Sequence, residues 1–172
     1  GIPVVFPQFA NLGPLPQHGF VRTAAWEVAE VSRTPSGSVF ALFRTRDTDA
    51  TRALWPYAFR ATMRVTLDEA LSTAITIENT GDESFPFQCD LHTYLRVGDL
   101  RKVTVEGLEG ATYQDRTAKN VERRERRRPL RIAGETDRIY VARPGRLRIR
   151  DESRARTVLH DRAGFRDVVI WN

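Results

Sequence analysis

Apolar and polar residues alternate along much of the chain. Tyr57, Phe59, Ala61, Met63, Val65 and Leu67 are interleaved with Ala58, Arg60, Thr62, Arg64 and Thr66. In an extended strand this period of two places one face against a core and the other toward water. Leu71, Thr73, Ile75 and Ile77 repeat the pattern, as do Val103 with Val105, and Leu147 with Ile149 among Arg146, Arg148 and Arg150. Further strand candidates cover 24–31, 38–45, 85–96, 138–142, 156–160 and 167–171. Asp68-Glu69 is predicted to reverse the chain between two paired strands, and Asn79-Thr80-Gly81-Asp82 and Pro144-Gly145 read as further turns. Only 114–128 has a spacing that supports a helix, with an apolar stripe too thin for a buried one. Pro3, Pro7, Pro14 and Pro16 make the first 20 residues extended and loop-like, which suits the lining of a site. Many short antiparallel strands predict an all-β fold, an antiparallel β-sandwich. With no internal repeat and no Gly/Ser-rich linker, residues 1–172 read as a single domain.

Composition narrows the function classes. The chain has 172 residues, 41% apolar and 28% charged, enough to bury a core and too apolar for a disordered protein. No run approaches the roughly 18 apolar residues of a membrane helix. Cys89 is the single cysteine, which excludes an internal disulfide and a cysteine-built zinc site and fits a reducing cytoplasm. No signal peptide is evident. Both ends lie in apolar runs, Gly1 to Phe6 and Val168 to Asn172, whereas natural termini are usually polar. The expectation is a piece of a longer protein. The net charge of +5 is carried almost wholly by arginine, the only lysines being Lys102 and Lys119. A pI near 10 raises the question of a polyanion partner. Yet the densest basic run, Arg123-Arg124-Glu125-Arg126-Arg127-Arg128 and on to Arg131, has no aromatic residue for base stacking. It reads as a solvated loop or helix face, with nucleic-acid binding as the competing view.

Three segments concentrate unusual residues: 1–9 running into 16–22, 85–95, and 135–140. None matches a phosphate-cradling glycine loop, a metal-ligand spacing or a nucleophile elbow. His92 lies in a strand-like stretch between Leu91 and Leu95; it is either a satisfied interior histidine or a general acid, since imidazole titrates near pH 6.5. His18, between Gln17 and Gly19, is a turn histidine or a partner of sugar hydroxyls. Asp137 caps a turn or accepts hydroxyl hydrogen bonds, and His160 beside Asp161 carries little functional signal.

The wording of these segments resembles the glucose-6-phosphate 1-epimerase family, within the aldose 1-epimerase (galactose mutarotase-like) superfamily. That family's Gly-Ile-Pro and Phe-Pro steps match residues 1–7. Its Gln-His-Gly-Phe-x-Arg-x-x-x-Trp run matches Gln17, His18, Gly19, Phe20, Arg22 and Trp26. Leu91-His92-Thr93-Tyr94, the run from Val105 to Asp115, Thr136 to Tyr140, and Val169-Ile170-Trp171-Asn172 follow in the family's order.

The resemblance implies a galactose mutarotase-like supersandwich, incomplete at both ends, and interconversion of the α and β anomers of glucose 6-phosphate. It implies no cofactor and no metal, a small sugar phosphate as partner, no nucleic acid, no membrane, and a cytoplasmic monomer. By residue it implies His92 as catalytic acid, Gln17 and His18 lining the sugar site, Arg22 on the phosphate and Asp137 on a hydroxyl. The family's catalytic glutamate falls downstream of the segment that ends here at Asn172, so the 172-residue polypeptide is expected to be a poor epimerase. The alternative is a non-catalytic carbohydrate-binding β-sandwich module, with Phe6, Phe9, Phe20, Trp26 and Trp55 available for stacking on sugar.

Overall fold

The structure is a computed structural model that describes residues 1–141 and 145–172. Antiparallel sheets dominate, and the chain forms two compact units, Gly1–Tyr94 and Leu95–Asn172.

In the first unit, β1 (Val4–Val5) is followed by β2 (Glu27–Arg33), β3 (Val39–Arg46), the short helix α1 (Asp49–Leu54), β4 (Phe59–Leu67), β5 (Leu71–Asn79) and β6 (Asp90–Leu91). Strands β2-β3-β4-β5 form one antiparallel meander. The alternation read from the sequence sets its faces: Phe59, Ala61 and Met63 are buried while Arg60 and Arg64 are exposed. In β5, Ile75 and Ile77 pack against the same core. Leu67 pairs with Leu71, so Asp68-Glu69 does turn the hairpin, with Asp68 Oδ1 accepting from the Ala70 N–H at 2.9 Å. The core adds Val4, Phe6, Phe20 and Val21 from the N-terminal segment. Helix α1 is absent from the sequence reading. It is nucleated by a local box, in which Thr48 Oγ1 accepts from the Thr51 N–H at 3.2 Å and Thr51 Oγ1 accepts from the Thr48 N–H at 2.8 Å.

The second unit contains β7 (Val103–Glu106), β8 (Thr112–Asp115), β9 (Val121–Arg124), β10 (Leu130–Arg131), β11 (Asp137–Tyr140), β12 (Leu147–Asp151), β13 (Arg156–His160) and β14 (Val168–Trp171). They form two sheets, ordered β10-β7-β12-β13 and β14-β11-β8-β9. Val105, Leu130 and Leu147 of the first sheet share one core with Tyr113, Tyr140 and Val168 of the second. The helix considered for 114–128 does not form. Residues 112–115 and 121–124 are paired strands, joined by a 3-10 turn and the left-handed residues Lys119 and Asn120. Cross-strand pairing outweighs a stripe too thin to bury. The arginine run follows the same sheet edge, where β9 is exposed throughout, while Glu125 between the arginines is buried. The predicted turn at Pro144-Gly145 falls partly outside the described residues.

Candidate functional site

The ladder begun by β1 and β6 runs beyond them in constant register. Gln88 N–H donates to the Pro7 carbonyl at 2.8 Å, His92 N–H to Pro3 at 3.0 Å and Tyr94 N–H to Gly1 at 3.1 Å, around the pairs Val5–Asp90 and Val4–Leu91. Residues 1–7 and 88–94 therefore form one two-stranded ribbon, with side chains alternating between its faces. Val4, Phe6 and Leu91 turn into the core. Gln88, Asp90, His92 and Tyr94 take the other face. The His92 imidazole is half-buried and stacks on the Tyr94 ring, with centroids 4.7 Å apart and an interplanar angle of 19°.

The Gln17–Arg22 loop is tied to the same ribbon. Gly19 bridges Phe6, and the Phe20 N–H donates to the Phe6 carbonyl at 3.2 Å. His18 is left-handed (φ 66°) and is clamped twice to Ala10: its N–H donates to the Ala10 carbonyl at 2.9 Å, and its Nδ1 accepts from the Ala10 N–H at 3.2 Å. An Nδ1 that accepts places the neutral ring's proton on Nε2. This geometry sets the His18 ring edge-on to His92, centroids 5.9 Å apart. Gly19 is also left-handed (φ 69°), and a Cβ there would collide with the Phe6 carbonyl. Gly19→Ala is thus expected to cost more than the roughly 1–2 kcal/mol of the left-handed backbone alone and to loosen the His18 clamp. A urea unfolding midpoint and hydrogen exchange at the His18 amide check this.

Gln17 is exposed on the loop beside His18. Arg22, also exposed, borders a cavity of about 350 Å³ whose lining is otherwise mostly apolar: Pro3, Trp26, Phe43, Met63 and Val65 among others. Burial, with the Asp90 charge adding to it, pushes the Cys89 thiol up to about 11, so it is no thiolate nucleophile at neutral pH. Burial also raises the Asp90 carboxyl, against the opposing attraction of His92.

Asp137 belongs to the second unit, where it opens β11. Arg116 Nε donates to Asp137 Oδ2 at 3.2 Å, both side chains being about one-quarter exposed (24% and 27%). Among the described residues no group of three or more His, Cys, Asp or Glu is arranged to hold a metal.

The profile of the aldose 1-epimerase family matches residues 1–172. The chain belongs to the aldose 1-epimerase family. A protein of Cenchrus ciliaris, provisionally named glucose-6-phosphate 1-epimerase, is 31% identical over 180 residues, covering all of this chain and 55% of that protein. An Escherichia coli protein with the same provisional name is 29% identical over 174 residues, covering all of this chain and 57% of that protein. A solved structure from Salmonella typhimurium, provisionally described as a mutarotase, superposes with a TM-score of 0.89 at 26% identity, over all of this chain and 57% of its own. A Clostridium acetobutylicum galactose mutarotase-like structure shares the fold, with a TM-score of 0.74 at 15% identity over all of this chain and 64% of that one. The chain thus spans just over half the length of the curated relatives it matches.

Of the residues singled out in this aldose 1-epimerase chain, Gln17 and His18 share one loop and His92 faces His18, while Arg22 lies in the 3-10 turn Val21–Thr23 that follows the loop and borders a cavity lined by neither histidine. Asp137 is held by Arg116 in the second unit. Sequence reading passed over the supports. Gln8 is buried, donating from Nε2 to the carbonyls of Ala10 and Leu15 and accepting at Oε1 from the Leu15 N–H at 2.9 Å. Gln88 Oε1 accepts from the Phe9 N–H at 2.8 Å. A polar amide beside a proline and an aromatic ring (Pro7-Gln8-Phe9) was the available signal, because such a group is buried only where its hydrogen bonds are met.

Proposed function

We infer that this chain carries the sugar-binding loop and the acid histidine of a hexose-6-phosphate 1-epimerase whose substrate is glucose 6-phosphate. The observation that carries this reading is the 5.9 Å edge-on approach of His92 to His18, on the loop that also bears Gln17 and leads into the 3-10 turn bearing Arg22. The His92 imidazolium gives its proton to the ring oxygen as the bond from that oxygen to C1 breaks. A carboxylate takes the proton of the anomeric hydroxyl, and C1 becomes an aldehyde. Rotation about C1–C2 and closure on the other face return both protons, so acid and base exchange roles. Gln17 and His18 bind sugar hydroxyls, and the planar guanidinium of Arg22 pairs with the phosphate through charge-assisted bonds. Asp137 accepts from a hydroxyl. The resemblance assigns the general base to a glutamate downstream of the segment matched by Trp171-Asn172. The reaction uses no cofactor in this reading, and a sugar phosphate substrate fits a cytoplasmic setting.

Exchange spectroscopy on the α and β anomers tests the reading, with unphosphorylated glucose as control. In a polypeptide that includes the glutamate-bearing segment, catalysed exchange of glucose 6-phosphate is expected. Exchange at the uncatalysed rate for both sugars overturns it.

A further inference from the structure

Asp137 does not stand alone on its sheet. In the β14-β11-β8-β9 sheet, Tyr140 lies opposite Tyr113 on one side and Val168 on the other, and all three enter the core. Ile170, opposite Arg138, packs against the same core. Strand alternation therefore turns Asp137 and its directly opposite neighbour Trp171 toward the other face of the sheet. On the β8 side, Arg138 pairs with Asp115, so the next position across from Asp137 is Arg116, whose Nε reaches the Asp137 carboxylate at 3.2 Å. The result is a cross-strand row of guanidinium, carboxylate and indole, Arg116–Asp137–Trp171, drawn from three chain segments. Trp171 is 55% exposed.

These three groups match the chemistry of a pyranose. A sugar ring has hydroxyls at its edge and patches of C–H on its faces. An indole offers a broad electron-rich face to those C–H groups. An ionised carboxylate has about four acceptor sites, and Arg116 engages one oxygen of Asp137. That contact holds the carboxylate in place while its remaining acceptor sites face hydroxyls, and charge-assisted bonds of this kind are stronger than neutral ones.

The geometry points to Trp171 and Arg116 as two further sugar-recognition residues: Trp171 stacks on a pyranose face, and Arg116 is a positioning residue that fixes the Asp137 carboxylate for the hydroxyls. This rests on the reading of Asp137 as a hydroxyl-binding residue of a hexose-phosphate enzyme.

Calorimetric titration of the protein with glucose 6-phosphate, alongside indole fluorescence, tests it. Trp171→Ala is expected to weaken binding about tenfold, whereas Trp171→Phe keeps most of the affinity because a ring remains. Saturating glucose 6-phosphate changes the emission of the wild type, and the part of that change contributed by Trp171 is lost in Trp171→Phe, whereas the Trp26 and Trp55 contributions remain and the sugar still binds. Arg116→Ala weakens binding by a similar factor, and Arg116→Lys, which retains a cation, recovers part of it. Wild-type affinity in both Trp171→Ala and Arg116→Ala overturns the row while leaving the proposed function standing. A wild type that binds no hexose phosphate overturns the proposed function itself, and the row with it.

Discussion

On the proposed reading of His92 as the acid, replacing it by Ala is expected to lower kcat for anomer interconversion by about 10²–10⁴-fold, the usual contribution of a positioned general acid, and to leave most of the affinity for the proposed substrate, glucose 6-phosphate. The backbone of residue 92 is held by the bond from its N–H to the Pro3 carbonyl at 3.0 Å, which alanine preserves. The imidazole is half-buried, stacked on Tyr94 and edge-on to His18, and lies outside the core cluster of Val4, Phe6 and Phe59, so its removal opens no large cavity there. The loss should therefore fall on kcat, with KM and the unfolding midpoint little changed. Steady-state kinetics in a form of the protein with turnover decide this. A variant with wild-type kcat removes the acid role from His92, and a variant that no longer binds sugar reassigns it to binding.

The second large effect concerns stability. Glu125→Ala is expected to cost about 3–5 kcal/mol, as breaking a buried ion pair does. Glu125 Oε2 accepts from Arg138 Nη1 at 2.8 Å and from the Tyr140 hydroxyl at 2.8 Å, while Oε1 accepts from the Arg127 N–H at 3.0 Å. Its side chain is 3% exposed and that of Arg138 is 15%. The Arg138 guanidinium also lies 4.7 Å from the centre of the Tyr113 ring. Removal of the carboxylate leaves a guanidinium and a phenol without their acceptor beneath a sheet. Burial, joined by the Glu125 charge and opposed by Arg138, already pushes the Tyr140 phenol above its usual range, so it stays protonated and cannot neutralise Arg138 in place of Glu125. Urea denaturation should show a lower midpoint with an unchanged slope. If the penalty is that of stranded polar groups, the combined replacement of Glu125 by Leu, Arg138 by Met and Tyr140 by Phe recovers most of the loss. No recovery would trace the effect to packing instead.

The same residues show what was legible beforehand. Arg123-Arg124-Glu125-Arg126-Arg127-Arg128 reads as one solvated charge run, and its arginines in β9 are exposed. That Glu125 turns inward depends on Arg138 and Tyr140, which are 13 and 15 residues away along the chain. No local pattern announces such a partner. Helix α1 was overlooked for a different reason: six residues give too short a window for helical periodicity, and only its Thr48–Thr51 box marks it. The ribbon of residues 1–7 with 88–94 falls between these cases. The segment 85–96 reads as a strand, but the proline-rich start reads as a loop because proline removes donors from a ladder. Here Pro3 and Pro7 serve only as acceptors, through their carbonyls, so the pairing survives.

The sequence by itself determined which residues alternate, hence the antiparallel sheets, the Asp68-Glu69 turn and the faces of β4 and β5. Its ordered motifs also pointed to the aldose 1-epimerase family. Alternation carries this much because a strand's side chains have period two whatever the strand pairs with. The tertiary structure alone decided which strands are neighbours. Only that pairing sets the His18 ring against His92, buries Glu125 under Arg138 and Tyr140, and aligns Arg116, Asp137 and Trp171 across three segments. Register between distant segments is chosen by the joint burial of both partners, a quantity that neither segment contains alone.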